Sequence, residues 1–416
     1  MTMPVYKKFL IAIIILLFTY ILYRLYRKRL LLLKEQNKEG YLNGKTPEQE
    51  LNNIKNTDIN MSVRSINSAY TQYPLSQYMI KGSYNSAITK NYVSLDMLQY
   101  VLSRGCRFID FEVFYLDGKP MVSYSNDPNF AVLETNNRLL LDNVLASAVA
   151  NAFNSPSPNK DDPLFIQLRI KSNDTIIYNE VAKSINNTLI TRLYKDKITK
   201  TTKLSDIMGK VVLVMDRTIN YKYKDFTKCP DPNDKTCYDL TNFINIESGS
   251  DFMRTSDYTT ITNKSLNPPT INNNNVTTDL QYIQIVTPDV TSSSVSNPDS
   301  MNLIKNYGCQ VILYSFYNKD EALTAYEELF NNNLYAIVPM ATTLIYLHND
   351  PRGVINSVEN TYNSILGIKL NNGNNGGLST SLNENTSAII IGSVLGGVVM
   401  LLIIGGIAAS KSKKPV

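Results

Sequence analysis

Short apolar runs alternate with helical stretches through the middle of this 416-residue chain, and that alternation restricts the fold more than any other feature. Strand-like runs fall at 77–82, 107–114, 120–124, 164–170, 211–215, 282–286, 310–316 and 335–338. Helical patterns fall at 94–103, 139–153, 175–193, 299–307 and 320–331. Strands separated by helices predict parallel βαβ units. Several runs, such as Leu164 to Ile170 (LFIQLRI), are apolar nearly throughout, as in strands covered on both faces. The class is α/β. A (β/α)8 TIM-like barrel over 75–370 is the leading architecture, with a doubly wound sheet as the alternative. The stretch 221–269 breaks the alternation and reads as an insertion.

Each end of the chain carries an apolar segment. Residues 9–23 read FLIAIIILLFTYILY and are followed by Arg24, Arg27, Lys28 and Arg29 with no small-residue cleavage site. They predict a retained anchor within 1–34 rather than a signal peptide. Residues 388–409 (AIIIGSVLGGVVMLLIIGGIAA) are uncharged and long enough to span a bilayer. Gly392 and Gly396 form a small-xxx-small face that could pack on a second transmembrane helix. Residues 35–74 read as a polar stalk, 371–387 as a Gly/Asn/Ser-rich tether and 410–416 as a basic tail. The flanking charges disagree on orientation. Lys411, Lys413 and Lys414 after the second span place the tail in the cytosol, whereas the basic cluster after the first argues the reverse. The ending KKPV resembles a dilysine endoplasmic-reticulum retrieval signal, and sequons stand at Asn173, Asn186, Asn263 and Asn275. These favour a lumenal or exterior central domain on an endoplasmic reticulum-derived or virion membrane. A composition rich in Asn, Ile, Lys and Tyr suits an AT-rich genome, as in many large DNA viruses and some protists.

The net charge is +5, and much of the positive charge lies beside the apolar segments. Anionic phospholipid headgroups are therefore the expected ionic partner. No Arg-rich patch interleaved with aromatics appears, so nucleic acid is excluded as a partner. There is one histidine, His348, which rules out any mechanism needing two imidazoles. Cys106 and Cys309 sit in apolar runs and read as buried thiols. Cys229 and Cys237 bracket CPDPNDKTC, a loop that a disulfide could close in an oxidising compartment.

Three segments resemble the catalytic barrel of phosphatidylinositol-specific phospholipase C, a PLC-like phosphodiesterase. Ile80 to Ser86 (IKGSYNS) is similar to the family strand ending in Ser-His-Asn-Thr. Gly105 to Glu112 (GCRFIDFE) is similar to Gly-Cys-Arg-x-φ-Glu-φ-Asp, where φ is apolar, and leads to Pro120–Tyr124, where the family has Pro-φ-φ-Tyr-His. Tyr307 to Phe316 is similar to a late barrel strand. The resemblance implies an X-domain-like barrel. It also implies a histidine base, a histidine acid and, in calcium-dependent members, a metal held by carboxylates and an asparagine.

The chain departs from that pattern at the positions that matter most. Tyr84 and Tyr124 stand where the resemblance places the two histidines, and a phenol with a pKa near 10 is a poor base at neutral pH. Asn85, Asp110 and Glu112 match ligand positions, and the two acids share one strand face. The remaining carboxylate position matches Arg169, whose charge would repel calcium and could pair with Asp110 or Glu112. No metal or cofactor is expected, with calcium required only if the chain is an active hydrolase. The reading is a membrane-anchored, inactive phospholipase C-like domain used for binding or structure. The alternative is an active phosphoric diester hydrolase on phosphoinositide or glycerophosphodiester lipids, using Asp110 or Glu112 as base.

Overall fold

The computed structural model describes Tyr20 and residues 45–56, 59–229, 231, 236–272, 277, 280–289 and 296–349. Apart from Tyr20, the expected anchors lie outside the described residues, with Gly392 and Gly396. So do the tether 371–387, the tail 410–416 and Asn275. Among the described residues no helix is long and apolar enough to cross a membrane.

The strands are β1 (Tyr78–Ser83), β2 (Phe108–Leu116), β3 (Lys119–Ser123), β4 (Leu139–Leu140), β5 (Leu164–Ile170), β6 (Val211–Asp216), β7 (Ile246–Ser248), β8 (Met253–Asp257), β9 (Ile283–Thr287), β10 (Val311–Tyr314) and β11 (Ile337–Pro339). The helices are α1 (Pro47–Lys55), α2 (Leu95–Ser103), α3 (Leu141–Ala152), α4 (Ile177–Thr188), α5 (Tyr258–Thr262), α6 (Ser300–Tyr307), α7 (Glu321–Asn333) and α8 (Met340–Asn349). Eight strands pair side by side in the order β7-β6-β5-β2-β1-β10-β9-β8. Every pairing along that path is parallel. The result is a parallel α/β barrel, left open by one seam, because β7 and β8 are not hydrogen-bonded to each other.

The strands of β1, β5 and β6 are buried at every position, which explains why they read as unbroken apolar runs. Gly82 in β1 is required by close packing: a Cβ there would stand 2.7 Å from Leu313 Cδ2 and 3.2 Å from the Ile312 carbonyl oxygen. Gly308 ends α6 in the left-handed conformation, at φ 61°, which a side chain would strain.

The structure corrects three expectations. The runs at 120–124 and 335–338 are not barrel staves. β3 lies antiparallel on β2, and β11 antiparallel on the start of β1. The two missing staves, β7 and β8, come from inside the stretch read as an insertion. β7 is three residues long, and β8 reads MRTSD. Only residues 249–252 link them, with no helix outside the seam, so their outward residues need not be apolar. Finally, the stretch 45–74 is folded against the barrel rather than forming a stalk. Thr46 caps α1 in a reciprocal box with Gln49, and Leu51, Ile54, Val63 and Ile66 are buried in the common core. Glu50 in α1 accepts hydrogen bonds from the Thr89 hydroxyl and the Asn91 side chain, both at 2.6 Å.

Candidate functional site: a guanidinium at the barrel mouth

The carboxyl ends of parallel barrel strands converge on one mouth, where TIM-barrel enzymes place their chemistry. Here β1, β2 and β5 bring together Tyr84, Asn85, Asp110, Glu112 and Arg169. Glu112 on β2 is in register with Arg169 on β5, and Asp110 with Gln167, so these side chains lie on one face of the sheet. Lys171, two residues beyond Arg169, continues that face.

Arg169 is the centre of the cluster. Its Nε donates to Asp110 Oδ1 at 2.8 Å and its Nη2 to Asp110 Oδ2 at 2.6 Å, a bidentate pair. Nη1 donates to Glu112 Oε1 at 2.8 Å and to the Tyr84 hydroxyl at 3.2 Å. Nη2 also donates to Asn85 Oδ1 at 2.9 Å. The guanidinium lies over the Tyr84 ring, 4.4 Å from its centroid, adding a cation–π contact. Asn85 adopts φ 44°, a left-handed conformation asparagine tolerates, and its backbone N–H donates to Asp110 Oδ2 at 3.1 Å.

Glu112 has a second cation. Lys171 Nζ lies 2.8 Å from Glu112 Oε2 and donates to the Ser125 carbonyl at 2.6 Å, while the Ser125 N–H donates to Glu112 Oε2 at 3.0 Å. Two carboxylates thus face two cations, and no net charge is left on the four. Their side chains are 0–5 % exposed. Burial alone would raise Glu112, but Arg169 and Lys171 reverse this and hold it below the ordinary glutamate value. Burial alone would likewise lower Arg169, but Asp110, Tyr84 and Glu112 hold it well above its ordinary value. Burial outweighs the Glu112 charge at Lys171, which is lowered.

The tyrosines offer no base. Burial pushes the Tyr84 phenol well above its ordinary pKa. Burial also raises Tyr124, whose hydroxyl donates to Asn126 Oδ1. Asp216, at the end of β6, is 2 % exposed and raised by burial, and its Oδ1 accepts from the backbone and hydroxyl of Thr218. His348 is exposed in the last turn of α8. It shares a groove with Lys305, which belongs to the last turn of α6 before β10 begins. That is the opposite end of the barrel from the cluster.

Calcium does not fit here. The volume among Asn85 Oδ1, Asp110 and Glu112 that would hold a cation already holds the Arg169 guanidinium, which has no lone pair to offer a metal. Among the described residues no group of three His, Cys, Asp or Glu side chains is placed to bind a metal. The sequence brought Tyr84, Asn85, Asp110, Glu112 and Arg169 forward, and the structure assembles all five; Tyr124 lies further out, beside Asn126. Lys171 was missed, although the same strand alternation that pairs Arg169 with Glu112 carries it to this face.

Away from the mouth, Cys229 and Cys237 form a disulfide with Cα atoms 5.8 Å apart. Cys106 and Cys309 are free and buried, and burial pushes both thiols up to about 12.

Residues 71–217 match the family model of the phosphatidylinositol-specific phospholipase C X domain. Among solved structures, L. pealei PLC21 is similar at 14 % identity over 65 % of this chain and 37 % of its own, with a TM-score of 0.45. S. officinalis PLC21 is similar at 15 % identity over 68 % of this chain and 39 % of its own, with a TM-score of 0.47. A calcium-dependent phosphoinositol-specific phospholipase C from a Gram-negative Pseudomonas sp is similar at 11 % identity over 67 % of this chain and 100 % of its own, with a TM-score of 0.39. The chain therefore spans under two fifths of the length of either PLC21. No protein of curated function matches it in sequence. Over residues 71–217 the chain is thus similar to the X domain of phosphatidylinositol-specific phospholipase C.

Proposed function

We propose that this protein is a catalytically inactive phospholipase C-like domain, anchored in a membrane at both ends and used there as a binding or structural component. The observation that carries the reading is Arg169. It fills the carboxylate cradle at the barrel mouth and seals it, with the side chains of Asp110 and Glu112 0 % exposed. Family chemistry needs a base, an acid and charge stabilisation at phosphorus. In this chain the candidate bases are neutralised by cations, Tyr84 and Tyr124 hold their protons, and the single imidazole lies at the other end of the barrel. Fold alone does not decide function, so the reading rests on this site and on the apolar ends of the chain.

The partner is the bilayer itself, through 9–23 and 388–409, with the basic flanks on anionic headgroups and Gly392 and Gly396 open to a second transmembrane helix. The full chain, purified in detergent, is expected to release no inositol phosphate from phosphatidylinositol and no glycerol phosphate from glycerophosphodiesters, with or without calcium. Turnover abolished by Asp110→Asn would establish the hydrolase instead. Resistance of the chain to alkaline extraction from membranes tests the anchors.

A further inference from the structure

We infer that Asn60, Asn173 and Asn263 carry N-linked glycans and that Asn186 does not. The inference rests on the reading that places the central domain on the lumenal or exterior side of the membrane. All four begin an Asn-x-Ser/Thr triplet. In the reaction, the side-chain amide nitrogen attacks C1 of an oligosaccharide carried on a lipid pyrophosphate. A C–N bond forms, the C1–O bond to the pyrophosphate breaks, the lipid pyrophosphate leaves, and the nitrogen gives up one proton. The triplet must bend to present both the amide and the hydroxyl, and the product needs open solvent around the nitrogen.

The structure separates the four sites on those grounds. Asn60 is exposed in irregular chain ahead of the barrel. Asn173 is exposed in the bend after β5, and Asp174 and Thr175 of its triplet are exposed with it. Asn263 is exposed at the C-cap of α5, and Lys264 and Ser265 beside it are also exposed. Asn186 is half-buried inside α4, and the hydroxyl of its triplet, Thr188 Oγ1, donates to the Ser184 carbonyl at 2.6 Å. In the folded chain that bond ties up the hydroxyl of the triplet within a helical backbone. The Cys229–Cys237 disulfide is an independent sign of an oxidising compartment, where such glycans are added. Asn173 has a further consequence. It lies three residues beyond the end of β5, on the rim of the barrel mouth, so a glycan there would hold a flat bilayer away from the Arg169 cluster.

The full chain expressed in a eukaryotic cell tests this by its gel mobility before and after treatment with peptide-N-glycosidase F. Asn60→Gln, Asn173→Gln and Asn263→Gln should each remove one step of the shift, and Asn186→Gln should remove none. Protease protection of the same protein in sealed vesicles reports the topology separately. A protected domain whose mobility does not change with the enzyme overturns the glycan assignment and leaves the topology standing. An unprotected domain with no shift overturns both. Loss of a step in Asn186→Gln, or none in Asn173→Gln, overturns the assignment of sites.

Discussion

Arg169 grips both carboxylate oxygens of Asp110, through Nε at 2.8 Å and Nη2 at 2.6 Å, from the neighbouring strand of the barrel. This geometry uses the planar fork of arginine, which a lysine could not reproduce. It also makes one cation responsible for two buried anions, because the same guanidinium bonds Glu112.

Removing that cation deprives Asp110 of its bidentate partner and leaves Glu112 paired with Lys171. Breaking a buried pair by deleting one partner costs about 3–5 kcal/mol. Arg169→Met should therefore lower the unfolding free energy by about that amount in urea titrations. A loss under about 1 kcal/mol, the range of exposed pairs, would show that the cluster is not a stabilising centre.

Exchanging the cation for an anion should have a different signature. In Arg169→Asp, oxygens from Asn85, Asp110, Glu112 and the new side chain would converge as hard ligands suited to calcium. Millimolar calcium should raise the melting temperature of this variant and leave the wild type unmoved. An equal rise in the wild type would contradict the exclusion of metal by Arg169.

The pH dependence of stability should change sign on the acid side. Asp162, fully buried beside Asn159 and the Ile66 N–H, is raised to about 6, mainly by burial and against the pull of Arg107. A raised carboxyl takes up its proton in the folded state first, so stability grows as pH falls from above 6 toward the ordinary value near 4. A shift of this size corresponds to roughly 3 kcal/mol at most. Glu112 acts in the opposite direction: its folded pKa is depressed, so its contribution is present above the ordinary glutamate value and is lost as pH falls through the lower, folded one. Denaturant midpoints measured from pH 7 to pH 3 should rise and then fall, and Asp162→Asn should remove the rise.

The cysteines should divide cleanly by reactivity. Without reductant, a native digest should yield the peptides of Cys229 and Cys237 linked to each other. Cys106 and Cys309 should react with iodoacetamide only after unfolding, being buried with their thiols pushed up to about 12. Closing so short a loop restricts the unfolded chain by roughly 2–3 kcal/mol, so Cys229→Ser with Cys237→Ser should lower stability by up to that much. Alkylation of Cys229 in the native, unreduced protein would exclude the bridge.

The sequence alone determined whatever is written in local periodicity. Six of the eight barrel strands were legible because both of their faces are buried, which forces apolar residues at successive positions. The shared face of Asp110 and Glu112 followed from the two-residue repeat of a strand, and the conflict between Arg169 and a metal followed from its charge. What required the tertiary structure was everything set by contacts distant along the chain. β7 and β8 carry no apolar run, because the seam leaves their outer sides without a helix, and only pairing with β6 and β9 makes them strands. The segment 45–74 looks polar, yet α1 packs because Leu51 and Ile54 enter the core and Glu50 finds Thr89 and Asn91. Strand alternation carries Lys171 to the mouth, but only the tertiary structure brings the Ser125 loop there, whose carbonyl accepts from Lys171 and whose N–H donates to Glu112. Charge complementarity in a buried site depends on which strands lie side by side, and that is a property of the whole sheet rather than of any one segment.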